Sequence, residues 1–173
     1  MLSVITATIP GREELLDECH ASVEAAGLPH LIGWDDRREG PAVVRNRLVE
    51  QAHTPWVVFL DDDDLLYPHY PDTVGPHLPG ADVVYTAWDL SGADEPFPHP
   101  WFDPDLLRTR NFIPVTACVR VRSFRAVGGF PDAALEDHEL WKLLLDRGCR
   151  FTYVPTIAWH YRRRQDSRTE ASN

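Results

Sequence analysis

The sequence predicts an α/β fold: a single domain built on a mostly parallel central sheet with helices on both faces. Three observations carry that expectation. Short apolar runs of strand length alternate with stretches whose apolar residues recur at helical spacing. Acidic residues follow directly on those apolar runs, where open parallel sheets gather ligands beyond the carboxyl ends of their strands. A chain of 173 residues with 43% hydrophobic and 25% charged content is long enough for one buried core and too short for two ordinary domains.

Leu2 to Ile9 reads as a buried strand, and Arg12 to Ala26 as a helix with Leu15, Cys19, Val23 and Ala26 on one face and Gly27 as its stop. The pattern then repeats. Leu31 to Trp34 is a second strand, ending at Asp35 and Asp36, and Pro41 suits the first position of a helix carrying Val44, Leu48 and Ala52. Trp56 to Leu60 is a third strand that runs straight into Asp61, Asp62, Asp63 and Asp64, and Ala81 to Thr86 is a fourth. The second half is less regular. Ser91 to Pro104 carries four prolines and reads as a loop bordering a site, followed by a short helix around Leu106 and a strand from Val115 to Val121. Gly128 and Gly129 mark a turn, a helix is expected from about Glu136 to Arg147, and Phe151 to Val154 closes the sheet.

Composition narrows the classes of function. No stretch approaches the roughly 18 to 20 apolar residues of a membrane span, and the start MLSVITATIPGREE lacks the order of a secretory leader. Cys19, Cys118 and Cys149 form no CxxC pair, so neither a disulfide framework nor a cysteine zinc site is expected, and a cytoplasmic location fits. A net charge of -10 disfavours nucleic-acid backbone and anionic lipid as partners. The exception is the tail, where Arg162, Arg163, Arg164 and Arg168 crowd together.

Four consecutive aspartates repel one another unless a cation sits among them. In an extended chain Asp61 and Asp63 face one side while Asp62 turns away. Their oxygens suit a hard cation, Mg²⁺ or Mn²⁺, which usually keeps only one or two protein carboxylates and takes phosphate oxygens from a substrate. The bland alternative is a solvated acidic turn.

The segments SVITATIP, GWDD, VVRNRLVEQAHTPWVVFLDDDD, VGGFPDAALEDHELWKLLLDRGCRF and WHYRR, in that order over nearly the whole chain, resemble glycosyltransferase family 2: inverting enzymes of the Rossmann-like GT-A fold. The resemblance implies a donor half (1–88), an acceptor and catalytic half (89–161) and an Arg-rich tail (162–173). It implies a site for a nucleotide-diphosphate sugar (UDP, GDP or dTDP) drawn from Ile9, Pro10, Arg12, Asp36, Arg45, Asp61, Asp62 and Arg162. Within that site Asp36 is expected near the base with Arg45 beside it, and Mn²⁺ or Mg²⁺ on Asp61, Asp63 and His160. Asp137 is the implied catalytic base, at a helix start that favours an ionised carboxylate; Glu136 and Glu139 are neighbouring candidates.

Two features depart from the family pattern: Ile9-Pro10-Gly11 stands where many relatives carry Tyr-Asn, and Arg37 follows Asp36 in place of Gly-Ser. The alternatives are a retaining transferase of the same fold, a non-catalytic nucleotide-sugar or carbohydrate-binding domain, and a nucleotidyltransferase, for which no early Gly-rich loop is present. The acceptor stays open among a glycan, a lipid-linked sugar, a protein, a small molecule and a modified nucleobase, as does homo-oligomerisation. Trp88, Phe97, Trp101 and Phe102 are candidates for stacking on a sugar ring.

Overall fold

Strand β1 (Leu2–Thr8) is buried along almost its whole length, because it lies between two parallel neighbours, β2 (His30–Trp34) and β3 (Trp56–Phe59). A computed structural model describes residues 1–90 and 101–162. In it one sheet of seven strands has the order β2-β1-β3-β6-β5-β7-β4, where β4 is Leu65–Leu66, β5 Val83–Leu90, β6 Cys118–Arg120 and β7 Phe151–Tyr161. Five of the seven run one way, while β4 and β6 run against them, so the sheet is mixed but mostly parallel.

The period-two alternation of β3 decides the layers. Val57 and Phe59 face a core with helices α2 (Pro41–Gln51), α4 (Pro104–Thr109), α5 (Val121–Ala126) and α6 (Glu136–Asp146), where Val44, Leu48, Leu107, Phe124 and Trp141 pack. Trp56, Val58 and Leu60 face the other core, filled by Cys19 and Val23 of α1 (Glu13–Ala25) and by Tyr70 and Val74 of α3 (Tyr70–Val74). Helices therefore cover both faces, as expected. Among the described residues no helix is long and apolar enough to cross a membrane.

Several boundaries differ from the sequence expectation. Along α1 the expected positions Cys19, Val23 and, at the helix end, Ala26 are buried, but Leu16 is buried in place of Leu15, which is half-buried. The strand expected at Val115 shrinks to Cys118–Arg120, because Ala117 N–H donates to the Val115 carbonyl at 2.7 Å and the chain turns there. Val121 then starts α5, which was not expected. The strand expected to end at Val154 continues to Tyr161: Pro155 has no N–H to give the ladder, so the register with β5 jumps from Thr86↔Val154 to Ala87↔Ile157 and pairing resumes. The prolines at 96, 98 and 100, together with Phe97 and most of the tail from Arg163 on, lie outside the described residues.

Candidate active site

The carboxyl ends of β1, β2 and β3 open on one rim. At the end of β2, buried Asp35 accepts the backbone N–H groups of Glu39 and Gly40 at 2.7 and 2.8 Å, which folds the loop back on itself. That leaves Asp36 exposed, in an open cavity of about 480 Å³ lined with Trp34, Arg37, Glu39 and Arg47. Ile9 and Pro10 lie exposed just beyond β1.

The aspartate run leaves β3 as a turn and not as an extended strand, closed by Asp64 N–H donating to the Asp61 carbonyl at 3.1 Å. Asp62 is consequently turned inward. It is buried, and accepts from Thr8 Oγ1 at 2.6 Å and Arg12 Nη2 at 3.0 Å. Burial raises its carboxyl above the ordinary range, a push that the Thr8 bond and the Arg12 charge oppose. Oxygen atoms of Asp61, Asp63 and Asp64 all lie within 4.8 Å of one another. The turn thus separates Asp61 and Asp63 from Asp62, as alternation would have done, and adds Asp64.

Three positive groups offset the carboxylates. Arg12 spans Asp62 and Asp63, with 2.5 Å to the Asp63 carboxylate. Arg45 Nη2 lies 2.5 Å from Asp61 Oδ1. The backbone N–H of Arg162 donates to Asp64 Oδ1 at 3.0 Å, while its guanidinium pairs with Glu18 at 2.6 Å. Asp64 is nonetheless pushed well above the usual carboxylate range, first by burial and then by Asp61. Three hard oxygen donors this close fit a divalent cation such as Mg²⁺ or Mn²⁺.

His160 is not part of that trio. Asp89 accepts from its Nδ1 at 2.8 Å and from the Tyr67 hydroxyl at 2.7 Å, joining β4, β5 and β7 at their shared edge. Desolvation and Asp89 raise the Tyr67 phenol to about 12.

Helix α6 brings the other chemistry. Its first turn carries Glu136, Asp137 and Glu139. Glu136 accepts from Arg45 Nη1 at 3.2 Å and Glu139 from Lys142 at 2.6 Å. Asp137 meets no cation among the described residues; its oxygens accept from Asn111 Nδ2 at 2.9 Å and from the His138 N–H at 2.8 Å. The turn is anchored from below, where buried His138 contacts the Leu107 carbonyl at 2.6 Å and Trp141 Nε1 donates to the Ile113 carbonyl at 3.1 Å.

Arg45 has partners that the resemblance does not name. Expected beside Asp36, its guanidinium is buried, bridges Asp61 and Glu136, and lies 5.5 Å from the centre of the Phe130 ring. Sequence reasoning did not assign Asp64, Asn111 or Asp89. Only Asp64 carried a signal, as the fourth member of its run. Among the aromatic candidates Trp88 packs on Trp159 and Phe102 stacks on Phe151, while Trp101 is 69% exposed.

Known structures share this architecture. S. aureus TarS 1-349 in complex with UDP-GlcNAc is similar with a TM-score of 0.74 at 16% identity, over 99% of this chain and 61% of that one. The mannosyltransferase PcManGT from Pyrobaculum calidifontis, in complex with GDP-Man and Mn2+, gives 0.72 at 16% identity, over 96% and 58%. At such identity the likeness is one of fold, the GT-A arrangement, and this chain spans about 60% of the length of TarS 1-349. No curated protein matches the chain in sequence. The family model described as "Glycosyl transferase family 2" matches residues 30–127, more than half of the chain, a span that holds Asp36, Arg45 and the whole aspartate turn. Its match carries the assignment that fold alone leaves open: the chain belongs to glycosyl transferase family 2.

Proposed function

We propose that this chain transfers a sugar from a nucleotide-diphosphate sugar to an acceptor hydroxyl, with inversion and with the help of a divalent metal. One observation carries it. A trio of hard oxygen donors, Asp61, Asp63 and Asp64, is joined through a single guanidinium to the helix start that bears Asp137. Binding of UDP-GlcNAc by TarS and of GDP-Man with Mn2+ by PcManGT supports the donor class.

In this scheme residues 1–88 form the donor half. Asp36 and the cavity around Trp34 take the base, and Ile9 and Pro10, exposed beyond β1, belong to the same proposed donor site. Asp61, Asp63 and Asp64 would hold Mn²⁺ or Mg²⁺, while His160 is engaged by Asp89. The bound metal supplies positive charge to a diphosphate leaving group. Arg12 and Arg162, both at the rim, give guanidinium donors that suit phosphate oxygens. Residues 89–161 receive the acceptor. There Asp137 takes the proton from the acceptor hydroxyl, whose oxygen attacks the anomeric carbon from the face opposite the diphosphate, and one displacement inverts the centre. The cytoplasmic location expected from the sequence belongs to the same proposal.

The test is nucleotide-diphosphate release from UDP-, GDP- and dTDP-hexoses with Mn²⁺ and a panel of sugar acceptors, with the anomeric configuration of the product read by NMR. Asp137→Asn, which keeps shape and removes the base, should lower kcat by about 10²- to 10⁴-fold. Full activity in that variant, or a product of retained configuration, would remove Asp137 from the role.

A further inference from the structure

We propose that Arg45 is a positioning residue that ties the donor carboxylates to the base-bearing turn, so that Asp61 and Asp137 are held in one register. The inference rests on the transferase assignment above and adds to it a residue acting through others. Asp61 lies just beyond β3 and Glu136 begins α6, far apart in sequence and in different layers of the fold. One guanidinium from α2 meets both, Nη2 on Asp61 at 2.5 Å and Nη1 on Glu136 at 3.2 Å. Its side chain is only 5% exposed and Glu136 16%, so that pair is weakly screened by water, while Asp61, at 39%, meets the guanidinium from the solvent side.

The surroundings are built for that span. Phe130 presents its ring to the guanidinium at 5.5 Å, a cation–π contact that fixes its plane. The next residue, Asn46, grips the same segment, donating from Nδ2 to the Phe130 carbonyl and accepting the Phe130 N–H at Oδ1, each at 2.9 Å. Consecutive residues of α2 therefore hold the segment that leads into α6 by side chain and by backbone. Glu136 is adjacent to Asp137, so a displacement at one is passed to the other. A lysine cannot do this: its ammonium is a point charge on a flexible stem, whereas the planar fork of arginine presents two separated nitrogens in fixed geometry.

A bridge predicts energetic coupling between two residues that share only Arg45. The first measurement is urea unfolding, without metal or nucleotide, of Asp61→Asn, Glu136→Gln and the double variant, in wild type and again in Arg45→Met. The account expects non-additivity of about tenfold in the unfolding equilibrium constant, and its loss in Arg45→Met. If Arg45→Met does not fold, Arg45→Lys replaces it and should reduce the coupling to about threefold or less. Additivity, or equal coupling with and without the guanidinium, overturns the bridge. The second measurement separates positioning from mere support: Glu136→Gln should lower kcat on the order of tenfold while leaving the affinity for UDP or GDP with Mn²⁺ within about threefold. A variant that melts earlier but keeps kcat overturns the positioning role. A wild type inactive with every donor sinks the transferase assignment and the positioning role with it, while the unfolding data still decide whether the bridge exists.

Discussion

His30 shows how a single half-buried group ties this fold to pH. Its Nε2 contacts Thr6 Oγ1 at 2.8 Å, and its Nδ1 lies 2.9 Å from that of His20. Burial, and then the His20 charge, lower its imidazole from 6.5 to about 4. The fold therefore holds His30 neutral where the unfolded chain protonates it, so its contribution is complete above pH 6.5 and is lost as pH falls toward 4. After a discount for partial solvent contact the loss amounts to about 1 to 2 kcal/mol by pH 4.5. His30→Gln should lessen the drop in unfolding free energy between pH 7.5 and pH 4.5 by that amount; an identical drop in both proteins would show that His30 titrates normally. At this scale the sequence was partly legible. A run of four aspartates announces a ligand site, but which three converge depends on a turn that alternation does not describe. Arg45 was singled out, yet its partners lie 16 and 91 residues away and no local pattern reports them.

Among the elements, those with local causes were read correctly and those with tertiary causes were not. Helices α1 and α2 announce themselves by apolar spacing, by Gly27 and by Pro41. The two-residue β4 exists only because β7 runs long enough to pair with it, at Leu65↔His160 and Leu66↔Trp159. Helix α5 begins on an apolar residue that looks like strand. The turn before α6 was legible through its glycines: Gly128 and Gly129 have φ of +86° and +78°, in the left-handed region that favours glycine. Gly129 has a second constraint, since a Cβ there would stand 2.5 Å from Asn46 Oδ1, the atom that accepts the Phe130 N–H. Gly129→Ala should accordingly cost about 1 to 3 kcal/mol through backbone strain and a displaced Asn46. Chemical denaturation measures it, and a neutral result would mean that the Asn46 clamp is slack.

Across the whole molecule, the mostly parallel sheet puts every proposed donor contact on one rim and leaves the proposed base on a helix of the opposite half, with Arg45 between them. The family match covers the aspartate turn and stops before α6, so the donor half is the better supported part of the proposal. Its central claim is a metal-dependent nucleotide-diphosphate site on the aspartate turn. The most direct test is thermal unfolding with UDP, GDP, dTDP and CDP, each with and without Mn²⁺, on the wild type and on Asp63→Ala. A ligand at about 100 times its dissociation constant adds roughly 2.7 kcal/mol, which is a melting shift of about 5 to 10 °C for a chain of this size. The account predicts that shift for one diphosphate, only with metal, and its loss in Asp63→Ala. A folded wild type that responds to none of the four, or an Asp63→Ala variant that responds equally well, would contradict it.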